Sequence, residues 1–212
     1  MNRPTAEISG LYAVTPDSDD TAALIAMTRA ALAGGARLVQ YRNKRAGAEL
    51  RCAQATALLE LCNHAGALLI VNDHVDLAGE IGAHGAHIGG EDGSLESARK
   101  RLGPHRVIGV SCYREMARAE AAATGGADYI AFGSFFASSV KPGAVRAPLS
   151  LLKAARPLGL PVVAIGGITP DNAGSLIEAG ADAVAVISAL FAAPDVESAA
   201  RRFSGLFEIH PS

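Results

Sequence analysis

Eight short apolar runs, each followed by a stretch of helix-forming residues, constrain this chain more than any other feature. The runs are Leu11–Thr15, Leu38–Arg42, Leu68–Asn72, Ala86–Ile88, Val107–Ser111, Tyr129–Gly133, Val162–Gly166 and Ala183–Ser188. Most are apolar at every position instead of alternating, as strands of a parallel sheet covered on both faces must be. The segments between them, such as "TAALIAMTRAALA" and "LLKAARPL", carry apolar residues three or four apart, the spacing of a helix face. A weak internal repeat runs through "AGGARLVQ", "TGGADYIAFG" and "EAGADAVAV", with looser copies in "AGALLIVN" and "GAHGAHIG". Each places glycine just before a strand, where it can end the preceding helix. Eight such units in 212 residues match the count and the lower size of an α/β (β/α)8 TIM barrel. The rival is a doubly wound open sheet, which is disfavoured by the unit count and by the absence of an early G-x-G-x-x-G turn.

This pattern reads as one domain over residues 1–212, with a short polar tail at about residues 1–9. A hydrophobic fraction of 50% excludes a disordered chain, and a formal charge of -2 argues against nucleic-acid binding, which needs a basic face. The opening "MNRPTAEISG" lacks the apolar core of a signal peptide. The apolar stretch "AVAVISALFAA" is too short for the roughly 20 residues a bilayer requires. A cytoplasmic protein with no membrane partner is expected, and association into a homo-oligomer is left open. Cys52, Cys62 and Cys112 are odd in number and too far apart for paired-thiol chemistry, so reduced or buried thiols are expected. The one long connection, Phe135 to Ser150, has the length of a functional lid.

In a barrel of this kind the chemistry sits where strands end. Those positions read Thr15, then Gln40, Arg42 and Lys44, then Asn72-Asp73 and Glu91-Asp92, with Ser111, Lys141, Gly166-Gly167 and Ser188 after them. Strand alternation turns Gln40, Arg42 and Lys44 to one side and Val39 and Tyr41 to the other. An arginine and a lysine aimed into one pocket suit an anionic oxygen ligand, although a solvated strand end would look the same. The aliphatic run "LLIV" stops at Asn72-Asp73, and a carboxylate in that position needs a partner. Asp73 and Asp92 end neighbouring strands, so the two carboxylates repel each other unless a cation lies between them. Oxygen ligands of this kind favour Mg²⁺. The plainer alternative is that Asp73 pairs with Arg42 while Asp92 caps a helix near Ser94. The turn "AIGGITPDN" and the segment "VISAL", each leading into a helix, offer backbone N–H groups for a phosphate. His84 and His87 have neither zinc-protease nor zinc-finger spacing, and His87 could reach the barrel mouth.

Taken together, "LYAVTPD", "VQYRNK", "VNDHVDLA", "GAHGAHIGGED", "IGVSCY", "ADYIAFGSFF", "KPGA", "VVAIGGI" and "GADAVAVISAL" occur in the order seen in the thiamine phosphate synthase family. The chain resembles that family from about Gly10 to Phe207. The resemblance implies a Mg²⁺-dependent transferase that joins a hydroxymethylpyrimidine diphosphate to a thiazole phosphate and releases diphosphate. It implies Asp73 and Asp92 as magnesium ligands. It also implies Arg42, Lys44, Asn72, Ser111 and Lys141 as diphosphate contacts, and Gln40 and His87 beside the pyrimidine. Gly167, Ile187 and Ser188 match the thiazole-phosphate site, and Ser138 keeps a hydroxyl of the substrate-facing loop. That loop departs from the family's P-T-x-T-K-P-G pattern by reading "ASSVKPG", with Val140 in place of a hydroxyl. A thiazole tautomerase of similar barrel would not need Arg42, Lys44, Asp73, Asp92 and Lys141. A non-catalytic regulator with the same barrel has only Val140 in its favour.

Overall fold

The computed structural model describes residues 8–90, 92–137 and 146–209. Its strands are β1 (Gly10–Val14), β2 (Leu38–Tyr41), β3 (Leu68–Asn72), β4 (Gly85–Ile88), β5 (Val107–Tyr113), β6 (Tyr129–Gly133), β7 (Val162–Ile165) and β8 (Ala183–Val186). Each is parallel to its sequence neighbour, and β8 returns to β1, so the sheet closes into a barrel as the run pattern predicts. Between and after the strands lie α1 (Thr21–Ala33), α2 (Ala48–Ala65), α3 (Val75–Glu80), α4 (Leu95–Leu102), α5 (Met116–Thr124), α6 (Ser150–Ala155), α7 (Pro170–Glu178), α8 (Ser188–Phe191) and α9 (Val196–Ile209). Among the described residues no helix is long and apolar enough to cross a membrane. The free Cys62 and Cys112 are buried, whereas the free Cys52 is exposed.

Two apolar layers follow from strand alternation. Outward-facing residues such as Val39, Leu69, Val71, Ile130, Phe132, Ala164 and Val184 are buried beneath the helices. Inward-facing residues, among them Tyr12, Leu38, Ile70, Tyr129, Val163 and Ala185, fill the barrel. The interior is tight where small residues meet large ones. A methyl group on Gly109 would lie 1.9 Å from the ring of Tyr129, so glycine is what gives that tyrosine room.

The repeat has a structural reason beyond its glycines. In "GADA" the Asp182 carboxylate accepts a hydrogen bond from the N–H of Val162 at 2.7 Å. In "GADY" the Asp128 carboxylate accepts from the N–H of Ile108 at 2.8 Å and pairs with Arg99. Each aspartate therefore ties the foot of one strand to the preceding strand. Asp182→Ala should destabilise the protein by about 1–3 kcal/mol, the usual cost of removing a charged acceptor from a partly buried donor. Urea denaturation of the two proteins measures this.

β1, β2 and β7 each end one residue before the sequence-based expectation, and two other strand ends differ by two residues in ways that matter to the site. β8 stops at Val186, so Ser188 opens α8 and does not end the strand. β5 continues past Ser111 to Tyr113 through a register shift, with φ of +53° at Tyr113. Bulges of this type redirect the side chains that follow.

Candidate active site

At the C-terminal mouth of the barrel a cavity of about 570 Å³ is lined by Gln40, Arg42, Lys44, Asn72, Asp73, His87, Asp92 and Ser111, together with Tyr12 and Arg114. A smaller chamber of about 190 Å³ adjoins it, bounded by Gly167, Ile168, Thr169, Ile187 and Ser188. The two share Ile165, Gly166, Ala185 and Ile187 as common wall. Apart from Thr15, every sequence-predicted site residue that is described therefore lines one of two connected chambers. Ser138 and Lys141, with Val140 and Glu91, lie outside the described residues.

The end of β2 is held rigidly. The backbone N–H of Arg42 donates to Thr15 Oγ1 at 2.8 Å, and the Thr15 hydroxyl donates back to the Arg42 carbonyl at 2.9 Å. Thr15 is thus a buried tie between two strands and not a group exposed at the mouth. Buried Asn43 braces the following turn, donating to Ser18 O and accepting from the N–H groups of Arg45 and Ala46. Asp17 accepts from the Arg42 guanidinium at 3.0 Å and from the Lys44 N–H at 3.0 Å. Asp17 went unnoticed in the sequence because it follows a strand end and looks like an ordinary turn residue.

The carboxylates meet as expected, but with different partners from the plainer alternative. Asp73 faces the Lys44 ammonium at 3.8 Å, while Arg42 pairs with Asp17. Asp92 accepts from the N–H of Gly89 at 2.7 Å, and the helix near Ser94 is capped by Ser94 itself, which accepts from Ser97 N–H. Burial raises the Asp73 pKa, and the adjacent Asp92 carboxylate raises it further by hydrogen bonding and charge, against the opposing pull of Lys44 and Arg42. Asp73 also has φ of +62°, a left-handed conformation that aspartate and asparagine tolerate better than most residues. Two carboxylates held this close disfavour each other's charge until a cation arrives.

Behind the charges lies a polar floor. The Gln40 amide donates to the Tyr12 hydroxyl at 3.0 Å, which is 2.9 Å from the Tyr129 hydroxyl. The Tyr129 hydroxyl is 2.9 Å from His87 Nδ1, and His87 Nε2 is 2.9 Å from Ser111 Oγ. Burial pulls the His87 pKa down to about 4, so the ring is neutral at physiological pH. The sequence pattern alone places Tyr12 and Tyr129 in strands and assigns them no part in the site. Each is a tyrosine at an inward-facing position of an otherwise apolar strand, a pattern that a merely space-filling tyrosine shares. His84, by contrast, accepts the N–H of Leu69 and braces β3. Arg114 was also missed. The bulge and left-handed turn at Tyr113 bring it to the cavity wall, a departure from strict alternation that the sequence pattern does not signal.

The smaller chamber is built on backbone. Gly167 has φ of +65°, and a methyl group there would lie 2.2 Å from the Ala137 carbonyl oxygen. Asn172 in α7 holds the turn by donating to Gly167 O at 3.1 Å and accepting from Thr169 N–H at 2.9 Å. Across from it, Ser188 and Ala189 begin α8 with their N–H groups free of backbone acceptors among the described residues. Such unpaired donors suit an anion.

A sequence model of the family described as thiamine monophosphate synthase matches residues 11–190. Proteins named thiamine-phosphate synthase are similar along nearly the whole chain. One from Nitrosospira multiformis is 53% identical, covering 99% of this chain and 91% of its own. Another, from Methylobacillus flagellatus, is 54% identical, covering 94% of this chain and 96% of its own. Among solved structures, thiamine phosphate pyrophosphorylase from Pyrococcus furiosus superposes with a TM-score of 0.87 at 32% identity, covering 98% of this chain and 99% of its own. A structure of 3-hexulose-6-phosphate synthase, at 19% identity and a TM-score of 0.71, shares the fold alone.

Proposed function

The chain belongs to the thiamine monophosphate synthase family, a family of transferases, and from that premise we propose how its residues divide the work. Gln40 and His87 hold the pyrimidine. Arg42, Lys44, Asn72 and Ser111 hold its diphosphate, together with Ser138 and Lys141. The glycine turn at Gly167, with Ile187 and Ser188, takes the thiazole phosphate. The observation that carries this reading is the pair of connected chambers. One has the cations, carboxylates and polar floor, the other has backbone donors, and Ile187 and Gly166 belong to both. Two substrates seated in them meet at the shared wall, where the pyrimidine methylene can face the thiazole nitrogen.

The donor set fits Mg²⁺, which usually takes one or two carboxylates and fills its shell with water and phosphate oxygens. Asp73 and Asp92 supply that pair, and their mutual repulsion is relieved by a cation. The charge balance agrees. Arg42, Lys44, Arg114 and Lys141 against Asp17, Asp73 and Asp92 leave one positive charge, short of the roughly -3 of a diphosphate group, and a divalent ion makes up the difference. When bound, Mg²⁺ would stabilise the negative charge that develops as diphosphate departs.

The remaining work belongs to the protein. The carbon–oxygen bond to diphosphate breaks first, leaving a pyrimidine cation that the thiazole nitrogen attacks. Arg42 and Lys44 stabilise charge growing on the leaving oxygens, and Asp17 keeps the guanidinium oriented. The chambers hold donor and acceptor in line, which removes most of the entropy of meeting. A neutral ring nitrogen needs no proton removed before it attacks, in keeping with a site whose one buried histidine is tied into the floor.

Mixing the two precursors with Mg²⁺ and following diphosphate and thiamine phosphate together tests the reading. Equal formation of both supports it, whereas rearrangement of the thiazole phosphate without diphosphate release would replace it with a tautomerase. A further expectation concerns the loop lysine. Lys141→Ala should weaken binding of the pyrimidine diphosphate more than binding of thiazole phosphate, and separate calorimetric titrations of each ligand measure the difference.

A further inference from the structure

The five groups on the barrel floor form one unbroken line: Gln40, Tyr12, Tyr129, His87, Ser111. Its middle members are sealed from water. Tyr12 is 1% exposed, Tyr129 0% and His87 7%. Each link needs one proton, and each hydroxyl has one to give. A neutral imidazole likewise donates from one nitrogen and accepts at the other. The line therefore has two satisfied states. In the first, Gln40 donates to Tyr12, Tyr12 to Tyr129, Tyr129 to His87 Nδ1, and His87 Nε2–H to Ser111, so the Ser111 proton is left for the cavity. In the second every donor is reversed. Ser111 then gives its proton to His87, and Gln40 accepts through its carbonyl. Any mixture leaves a buried hydroxyl proton without an acceptor or sets two donors against each other, a defect that water cannot repair here.

The two states present opposite faces to a ligand. The first, whose Gln40 end matches the amide orientation in the structure, turns the Gln40 carbonyl to the cavity as an acceptor and leaves Ser111 as a donor. The second offers a donor at Gln40 and an acceptor at Ser111. The choice between them rests on the reading above, in which Gln40 holds the pyrimidine and Ser111 the diphosphate, with the pyrimidine taken as a 4-aminopyrimidine whose amino group faces Gln40. The amino group and the diphosphate oxygens both demand the first state. We propose that Tyr12 and Tyr129 are positioning residues that lock the His87 tautomer and the Ser111 proton to the orientation of Gln40. The amino group at one end of the substrate thereby sets the hydrogen bond that Ser111 offers the leaving group at the other. The line is a specificity device for aminopyrimidines. An oxo analogue, with an acceptor where the amino group stands, demands the second state at Gln40 while its diphosphate still demands the first at Ser111. One end must go unsatisfied, and the analogue is penalised in bond breaking as well as in binding.

Tyr129→Phe cuts the line at its middle while keeping the ring that stacks on His87 with centroids 5.5 Å apart. The test compares single-turnover diphosphate release from the aminopyrimidine diphosphate and its oxo analogue in the wild type and in this variant. A purely structural tyrosine would lower both rates together and leave their ratio unchanged. The proposal expects the preference for the amino compound to fall by about tenfold, the scale on which one buried unpaired group acts. Nitrogen NMR of the wild type with the aminopyrimidine diphosphate bound, thiazole phosphate left out, should show His87 protonated on Nε2. If Tyr129→Phe misfolds, Tyr12→Phe cuts the neighbouring link with the same expectation. A preference unchanged within about twofold in two active enzymes, or a wild-type His87 protonated on Nδ1, overturns the relay alone. A wild type that releases no diphosphate from the amino compound overturns the functional reading beneath it and the relay's substrate role with it.

Discussion

An Asp73→Asn enzyme should lose turnover by about 10²-fold or more, the scale on which removing one electrostatic stabiliser acts, and yet melt higher than the wild type when divalent cations are chelated. The two halves have one cause. Asp73 is partly buried beside Asp92, and its pKa is raised by burial first and by that neighbour second. The folded, metal-free protein therefore holds the Asp73 proton to higher pH than the unfolded chain does. The stability linked to that proton is complete below the ordinary carboxylate pKa and is lost as pH rises through the raised value. As pH rises above the ordinary carboxylate range the wild type gives up that stability, whereas an amide never ionises. Asparagine also suits the left-handed backbone at this position, so the exchange adds no strain. Calorimetric melting curves in chelator should show the variant ahead at neutral pH and the gap closing as pH falls. Adding Mg²⁺ should close it from the other side by raising the wild type. A variant that melts below the wild type throughout would show that Asp73 is a structural ion-pair partner of Lys44 and not half of a cation site.

Gly167→Ala should abolish measurable binding of thiazole phosphate while leaving the pyrimidine diphosphate site nearly intact. The added methyl would meet the Ala137 carbonyl oxygen at 2.2 Å and the Phe136 backbone at 2.7 Å, and neither can rotate away. The backbone there has φ of +65°, which a side chain disfavours. Overpacking and left-handed strain together should cost about 2–4 kcal/mol, most of it relieved by opening the turn that carries the backbone donors. Separate titrations of the two ligands, with a denaturation curve, read both effects. Equal loss of the two affinities would mean that the glycine turn supports the whole mouth and not one chamber.

Much of the site was legible because the barrel places its chemistry at a position that can be counted along the chain. Once a strand was recognised, its polar end pointed to the mouth, and Gln40, Arg42, Lys44, Asn72, Asp73, Asp92 and Ser111 all line the cavity there. What escaped depended on contacts between distant strands. Tyr12 and Tyr129 are 117 residues apart, and nothing local distinguishes a tyrosine that fills a barrel from one that carries its polarity. Arg114 was missed for a different reason, since the bulge at the end of β5 breaks the alternation used to sort side chains. The plainer alternative, an Asp73–Arg42 pair, does not form, for a reason no local spacing reveals. Asp17 holds Arg42, and Asp73 is left to Lys44 and Asp92.

The chain by itself determined the closed parallel barrel, its eight units and the family, because hydrophobic runs, helix-ending glycines and motif order are properties of residues in line. Tertiary structure alone decided which charges neutralise one another, which hydroxyls share a proton line, and where the mouth divides into two chambers. Those outcomes turn on ångström-scale distances across the barrel, which no spacing along the sequence encodes.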